Sequence, residues 1–272
     1  MKAAMIGDNC IDLYVGNEDG RKYPTGNVVD TGVNLRKLGV PVSIISTTGS
    51  DENGTWMRHA LEREGLDTSH LKTGDGATAV TWLSLEGKER VYKMYDPGVL
   101  DTMKFDKEDV SFAASHDLVH TALWGNAEVV LPEIHRSGTF VSFDYADRLD
   151  SPIVEKTLPY VDLGFFSFHG KVNENVRGYL KDKVERGMKI AVGTFGEEGS
   201  LAYDGKTFTP CGIFKTESLV NTVGAGDSYI SGFLYGILHK KSIAECMRLG
   251  ASIASQVVQV FEPWIEGDYQ IE

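Results

Sequence analysis

The stretch LVNTVGAGDSYISGFLYGIL, residues 219–238, places a glycine-rich turn directly before a long apolar helical pattern. Amides at a helix N-terminus lack partners and carry a partial positive charge, so they attract anions such as phosphate. The turn Gly224-Ala225-Gly226 lets these amides approach an anion closely. Asp227 is then placed to take a proton from a hydroxyl that attacks a bound phosphate. The alternative is a glycine-assisted helix start in which Asp227 is only a first-turn charge.

Around this turn, short apolar runs alternate with helical patterns. AAMIGDN near the N-terminus and PVSIISTTGSD are typical of buried strands, and each is followed by a helical pattern ending in glycine. Further strand-like runs follow as DLVHTALWG, TFVSFDYAD, VDLGFFSF, KIAVGTFGEEGS and GSLAYDG. Strand–helix alternation with short connections predicts an α/β fold with a mainly parallel, doubly wound sheet.

Two stretches interrupt this alternation. ATAVTWLSLEGKERVYKMYDPG alternates apolar and polar residues around a turn, which is typical of a β-hairpin with one exposed face. NCIDLYVGNEDGRKYPTG has similar character. We therefore predict a small β-sheet lid built from about residues 9–25 and 77–98, within a single domain covering residues 1–272.

Composition narrows the functional classes. The 272 residues are 42% hydrophobic and 24% charged, with a net charge of −12 and a pI near 5.1. This balance disfavours nucleic acid or an anionic membrane surface as the main partner. The three cysteines are isolated, so neither a disulfide framework nor a CxxC metal site fits. The first apolar run carries aspartates and no later run is long enough for a bilayer, so we expect a soluble, cytoplasmic protein.

The stretch TVGAGDSYISGFLYG resembles the C-terminal signature of the PfkB, or ribokinase-like, carbohydrate kinases, usually D-T-x-G-A-G-D. The resemblance implies a ribokinase-like three-layer αβα sandwich that transfers the γ-phosphoryl group of ATP, with Mg²⁺, to a sugar hydroxyl. It assigns Asp227 as the catalytic base, and Gly224, Ala225 and Gly226 as the anion hole. Asn221 replaces the first aspartate of the signature, a change expected to affect nucleotide and metal electrostatics.

Other stretches resemble further signatures of the same family. GDNCID and TGNVVDTGVNLRKLG are similar to its sugar-binding segments, although Thr25, Asp30 and Gly32 depart from the usual residues. By this resemblance the sugar is bound by Asp12, Asp8, Gly26, Asn27 and Asp30. GTFGEEGSLAYDG resembles the T-x-G-x-x-G nucleotide loop. The nucleotide site then comprises Thr194, Gly196, Gly199, Asn221 and Thr222.

The family's N-x-x-E motif, which helps to organise magnesium, has no counterpart in register. SFHGKVNENVRGYL occupies its place, with Asn173-Glu174 displaced from the pattern. The metal ligands are therefore left unassigned, with Glu174 and Glu197 as alternatives.

Local stretches indicate one subgroup. IGDNCIDLY, TALWGNAE and FDYADRLDSP resemble the bacterial fructoselysine 6-kinases, which implies the 6-hydroxyl of fructoselysine or of a similar glycated amino acid as acceptor. Asp30 is then either a recogniser of the substrate amine or a simple hydroxyl acceptor, and Asp96 is another candidate for the amine. Trp124 either packs on the substrate or belongs to the core. Arg90 either binds a substrate or phosphate anion or is a solvated lid charge.

Two alternatives remain open. The acceptor could be fructose, 2-keto-3-deoxygluconate or a nucleoside, or the protein could be a non-catalytic sugar sensor descended from a kinase. The exposed lid face with Val80, Trp82 and Tyr92 also suggests a homodimer formed through the lid.

Overall fold

The structure is a computed structural model that describes residues 1–16, 20–86 and 89–270, except the side chains at positions 85, 86, 89 and 90. Its strands, in chain order, are β1 Ala3–Ile6, β2 Cys10–Tyr14, β3 Lys22–Thr25, β4 Val42–Gly49, β5 Asp67–Gly74, β6 Val80–Glu86, β7 Glu89–Asp96, β8 Leu118–Ala122, β9 Phe140–Asp144, β10 Leu163–Ser167, β11 Ile190–Thr194, β12 Ser200–Tyr203 and β13 Phe208–Cys211. Its helices are α1 Asn27–Lys37, α2 Glu52–Arg63, α3 Lys107–Ala114, α4 Leu131–Arg136, α5 Pro152–Thr157, α6 Glu174–Glu185, α7 Ala225–Leu238 and α8 Ile243–Val257.

The larger sheet of the described part has the order β13-β12-β11-β10-β9-β8-β1-β4-β5. Its pairs are parallel except those of β12, which runs antiparallel to β11 and β13. Successive residues of β1 face opposite sides, so Ala3 and Met5 enter one apolar core and Ala4 and Ile6 the other. Helices α1, α2, α7 and α8 pack in the first core and α3–α6 in the second. The predicted three-layer αβα sandwich is confirmed.

A smaller sheet has the order β3-β2-β6-β7 and comes from the two segments predicted to form the lid. Strands β2 and β6 are parallel, and the outer pairs are antiparallel. Its edge strand β7 exposes Tyr92, Met94 and Tyr95. Val80 and Trp82 are two residues apart on β6, whereas Tyr92 pairs with Leu83 beyond a register shift. Dimerisation through the lid face that contains these three residues stays a prediction.

The sequence patterns do not predict two edge strands of the larger sheet. In β5 only Leu71 is buried, so the strand lacks an apolar run. The other edge strand, β13, contains Pro210, which is tolerated where a strand has a neighbour on one side only. Each strand is held by its pairing with one inner neighbour, β4 or β12, and a pattern within the strand itself does not reveal that pairing.

Candidate active site

The glycine turn before α7 has a backbone conformation that a side chain would disturb. Gly224 is the N-cap residue with φ of 67°, in the left-handed region. A Cβ atom there would lie 2.6 Å from the carbonyl oxygen of Pro263. No side chain caps the helix, whose first turn contains Ala225, Gly226 and the half-buried Asp227. Because the N-cap residue is a glycine, it has no side chain that could accept from the first amides of the helix, and this suits an anion site.

A cavity of about 640 Å³ adjoins this turn. Its walls include six residues predicted from the sequence to bind the nucleotide or the transferred phosphate: Thr194, Gly196, Gly199, Thr222, Ala225 and Gly226. It is also lined by the apolar side chains of Phe168, Ile213, Phe214, Leu219, Ala251, Ala254 and Val258. An apolar cavity with a helix N-terminus at one end suits a ligand with a flat ring and an anionic tail.

Asn221 does not line this cavity, and its side chain bonds to the protein backbone. It is 2% exposed. Its Nδ2 donates to the carbonyl oxygen of Phe261 at 3.0 Å, and its Oδ1 accepts from the N–H of Val223 at 2.5 Å. The amide thus fastens the loop before the glycine turn to the C-terminal segment. The electrostatic role of this position stays a prediction, whereas the two hydrogen bonds of its side chain show a structural role.

We expect Asn221→Asp to destabilise the protein, although aspartate is the usual residue of the signature. A carboxylate cannot donate to the Phe261 carbonyl and would face that oxygen at about the same distance. An unsatisfied buried acceptor costs about 1–3 kcal/mol, so thermal unfolding should shift to lower temperature. Asn173→Asp is the matched control, because Asn173 is an exposed N-cap where aspartate serves equally well. An unchanged Tm in Asn221→Asp would contradict this account.

Carboxylates converge where the small sheet meets the end of β1. Asp8, Asp12 and Asp30 are all buried. The pKa of the nearby Cys10 thiol is raised well above its ordinary value. Burial is the largest cause, and the negative charges of the three aspartates add to it, that of Asp12 most. The convergence brings together the three aspartates that the sequence assigned to the sugar. One oxygen of Asp30 accepts from the Thr25 hydroxyl at 2.7 Å.

Asn27 joins two of the site's carboxylates. Its backbone N–H donates to Asp8 Oδ2 at 2.9 Å, and its Nδ2 donates to Asp144 Oδ2 at 2.6 Å. Burial raises the pKa of Asp144 to about 6, opposed by hydrogen bonds from the Ala146 N–H and Asn27 and reinforced by the charge of Asp8. Asp144 is not among the site residues predicted from the sequence. Its position at the end of a parallel strand was the available signal, since sites gather at that edge.

Gly26 allows this close approach. Its φ is 136°, and a Cβ atom there would lie 2.9 Å from the backbone of both Asp8 and Asn9. A glycine at position 26 therefore lets the backbone of Asp8 and Asn9 lie close to the start of α1, in the segment predicted to bind the sugar.

The remaining predicted residues have different surroundings. Trp124 lies two residues after the end of β8 and is 46% exposed, so it is not a core residue. Tyr95 of the lid is near Asp8 and Asp96, and burial followed by the charges of Cys10, Asp8 and Asp96 raises its pKa to about 12. The Arg90 side chain lies outside the described residues.

No cluster of three or more metal-binding side chains occurs among the described residues. Glu197 lines the cavity, whereas Glu174 is 95% exposed in the first turn of α6 and next to Arg177. Of the two alternatives for the missing motif, Glu197 is thus the one beside the cavity. Within the described residues, no helix is both long and apolar enough to span a bilayer.

A second feature connects the lid to the glycine turn. The lid residues Tyr14 and Tyr23 pack against Phe261, with ring centroids 5.2 Å and 6.1 Å away, and Val223 belongs to the same buried cluster. The Phe261 carbonyl is the acceptor for Asn221. The C-terminal segment therefore contacts the lid and the turn at once.

The sequence of this chain matches those of a known protein family. The sequence model described as "pfkB family carbohydrate kinase" matches residues 15–263. The chain is 34% identical to fructoselysine 6-kinase of Shigella flexneri over 261 residues, which cover 96% of this chain and 98% of that protein. It is 29% identical to fructosamine kinase FrlD of Bacillus subtilis over 267 residues, covering 96% and 92%.

The fold comparison agrees. The structure of Arabidopsis thaliana ribokinase complexed with ribose and ATP superposes with a TM-score of 0.86 and covers 98% of this chain and 94% of that one. At 18% identity this likeness shows the fold alone. It confirms the ribokinase-like arrangement expected from the sequence.

Proposed function

The chain belongs to the pfkB family of carbohydrate kinases and is a phosphotransferase with an alcohol acceptor, and we propose that this acceptor is the 6-hydroxyl of fructoselysine or of a similar fructosamine. The observation that carries the proposal is the 34% identity with a fructoselysine 6-kinase along nearly the whole of both chains. The fructosamine kinase from Bacillus subtilis supports the same substrate class.

ATP is the proposed phosphoryl donor, bound in the cavity beside α7. The apolar wall from Ala251 to Val258 suits an adenine ring, and the loops at Thr194–Gly199 and Thr222–Gly226 would hold the phosphates. Mg²⁺ would neutralise the charge of the phosphate oxygens. The absence of a clustered ligand set in the described residues fits a Mg²⁺ ion held mainly by phosphates and water, with Glu197 nearby.

The sugar would lie between the end of β1 and the lid. Asp12, Asn27 and Asp8 supply acceptors for its hydroxyls, and Trp124 offers an exposed ring for its apolar face. Of the two alternatives for Asp30, the hydroxyl-acceptor role is the one we retain, because Thr25 already occupies one of its oxygens. Arg90 is proposed as a lid contact to the substrate carboxylate.

Asp227 would accept the proton of the attacking hydroxyl while the amides of the glycine turn stabilise the equatorial oxygens. A carboxylate in the first turn is stabilised by the helix dipole, so it is available as a base. Closure of the lid would exclude water that otherwise competes as acceptor. Because the reaction consumes ATP, the proposed location is the cytoplasm.

The test is a panel of acceptors offered to the purified protein with ATP and Mg²⁺. Fructoselysine, a second fructosamine, fructose, 2-keto-3-deoxygluconate, a nucleoside and free lysine are compared by ADP release and by product mass. We expect the highest kcat/KM with fructoselysine and a product carrying one added phosphate. Free lysine is the matched control, because it has the amino acid without the sugar. A higher kcat/KM for another sugar would reassign the acceptor, and tight sugar binding without turnover would identify a sensor.

A further inference from the structure

The Asn27 amide has only one orientation compatible with its neighbours. Its Nδ2 donates to Asp144 Oδ2 at 2.6 Å, and an ionised carboxylate only accepts hydrogen bonds. The other oxygen of Asp144 accepts from the Ala146 N–H at 2.9 Å, so this carboxylate serves two donors. The amide oxygen of Asn27 must therefore point away from Asp144. That oxygen is buried and has no hydrogen-bond partner in the protein.

A second oxygen at the same place is also unsatisfied. Asp8 Oδ2 accepts from the Asn27 backbone, whereas Asp8 Oδ1 is buried without a partner. Asp8 is 7% exposed and Asp144 is 8% exposed. Buried acceptors without partners are rare in native proteins, so a pair of them on adjoining residues indicates a donor supplied by a ligand.

We propose that Asp144 is a positioning residue that fixes the Asn27 amide with its oxygen toward the substrate, where it accepts from an O–H or N–H group. This inference rests on the proposed function, because that function places the acceptor sugar at Asn27. Asp144 acts through Asn27 and does not contact the sugar. The hydrogen bond spans 117 residues of sequence and ties the end of β9 to the start of α1.

Asp144→Asn tests the orientation directly. The new amide has one oxygen where the carboxylate had two, so it cannot accept from both the Ala146 N–H and Asn27. Asn27 relieves the conflict by rotating its amide, which turns a donor toward the substrate. We expect KM for the sugar to rise roughly ten-fold, with KM for ATP within about two-fold of wild type because that site is separate. Asp147→Asn is the matched control, since it makes the same change on an exposed residue of the same loop.

The double variant Asp144→Asn/Asn27→Asp separates positioning from other roles. An aspartate at position 27 presents an oxygen in either rotamer and can accept from the new amide at position 144, so most of the lost sugar affinity should return. Asn27→Asp alone places its carboxylate against that of Asp144, so this single variant should bind the sugar less tightly than the double variant does. An unchanged sugar KM in Asp144→Asn would overturn the proposal. So would a double variant with wild-type Tm whose sugar KM stays raised, because Asp144 would then contact the sugar itself.

The measurement does not depend on the fructosamine assignment. It uses whichever sugar of the panel is the best acceptor of the wild-type protein, and it adds the sugar Kd from titration calorimetry. A different best acceptor refutes the proposed substrate and leaves this test intact. Equal sugar Kd values for Asp144→Asn and wild type refute the positioning role, whatever the substrate.

Discussion

Replacing Asp227 by asparagine is expected to lower kcat by about 10²–10⁴-fold, because the reaction loses a positioned base. Asparagine has the same shape but cannot take a proton from the acceptor hydroxyl. Asp227 is half-buried in the first turn of α7, at the end of the turn that adjoins the cavity. The substitution should leave KM for the sugar and for ATP close to wild type, since it removes an interaction made in the transition state.

The loss of a first-turn carboxylate also weakens the helix dipole interaction, by about 0.3–1 kcal/mol. Glu52→Gln is the matched control for that effect, because Glu52 is an exposed acidic residue in the first turn of α2. Both variants should show similar small shifts in Tm, and only Asp227→Asn should lose activity. A variant at Asp227 that keeps kcat within about ten-fold of wild type would show that another group is the base.

Much of the fold could be predicted from local pattern. The apolar runs of β1 and β4 and the glycine ends of α1 and α2 indicated a covered parallel sheet. The alternating residues of β6 and β7 indicated a second sheet with an exposed face. By contrast, β5 carries one buried apolar residue and became a strand only through its pairing with β4. Local windows therefore predicted the central strands better than the edges.

The candidate site likewise has features that the local sequence predicts and features that it does not. The glycine turn and Asp227 are contiguous in sequence, so their chemistry could be inferred from residue types alone. The partners of Asn221 and Asn27 could not, because Phe261 and Asp144 lie 40 and 117 residues away. Both asparagines belonged to a signature, yet the structure shows that one fastens a loop and the other joins two carboxylates. A motif indicates which residues matter, whereas their roles follow from partners that only the fold brings together.

The second large effect is expected at Gly224, where alanine should lower kcat by about 10²-fold through displacement of the anion hole. The residue has φ of 67°, which costs a side-chain-bearing residue about 1–2 kcal/mol. The added Cβ atom would lie 2.6 Å from the Pro263 carbonyl oxygen and 2.8 Å from its Cα. Backbone contacts of this kind cannot be relieved by a rotamer change, so the turn or the segment at Pro263 must move. Either shift moves the amides of Ala225 and Gly226 relative to the phosphate.

Gly39→Ala isolates the contribution of backbone strain. Gly39 has φ of 87° after the C-terminal end of α1, and a Cβ atom there would meet no atom within 4 Å. It should lower Tm through strain alone and leave kcat unchanged. Gly224→Ala should lower Tm further, because the contact with Pro263 adds to the strain, and should lower kcat as well. Equal Tm losses and wild-type kcat in both variants would mean that the segment at Pro263 moves away from the new side chain without a measurable cost in stability. The close packing at Gly224 would then have no part in holding the anion hole.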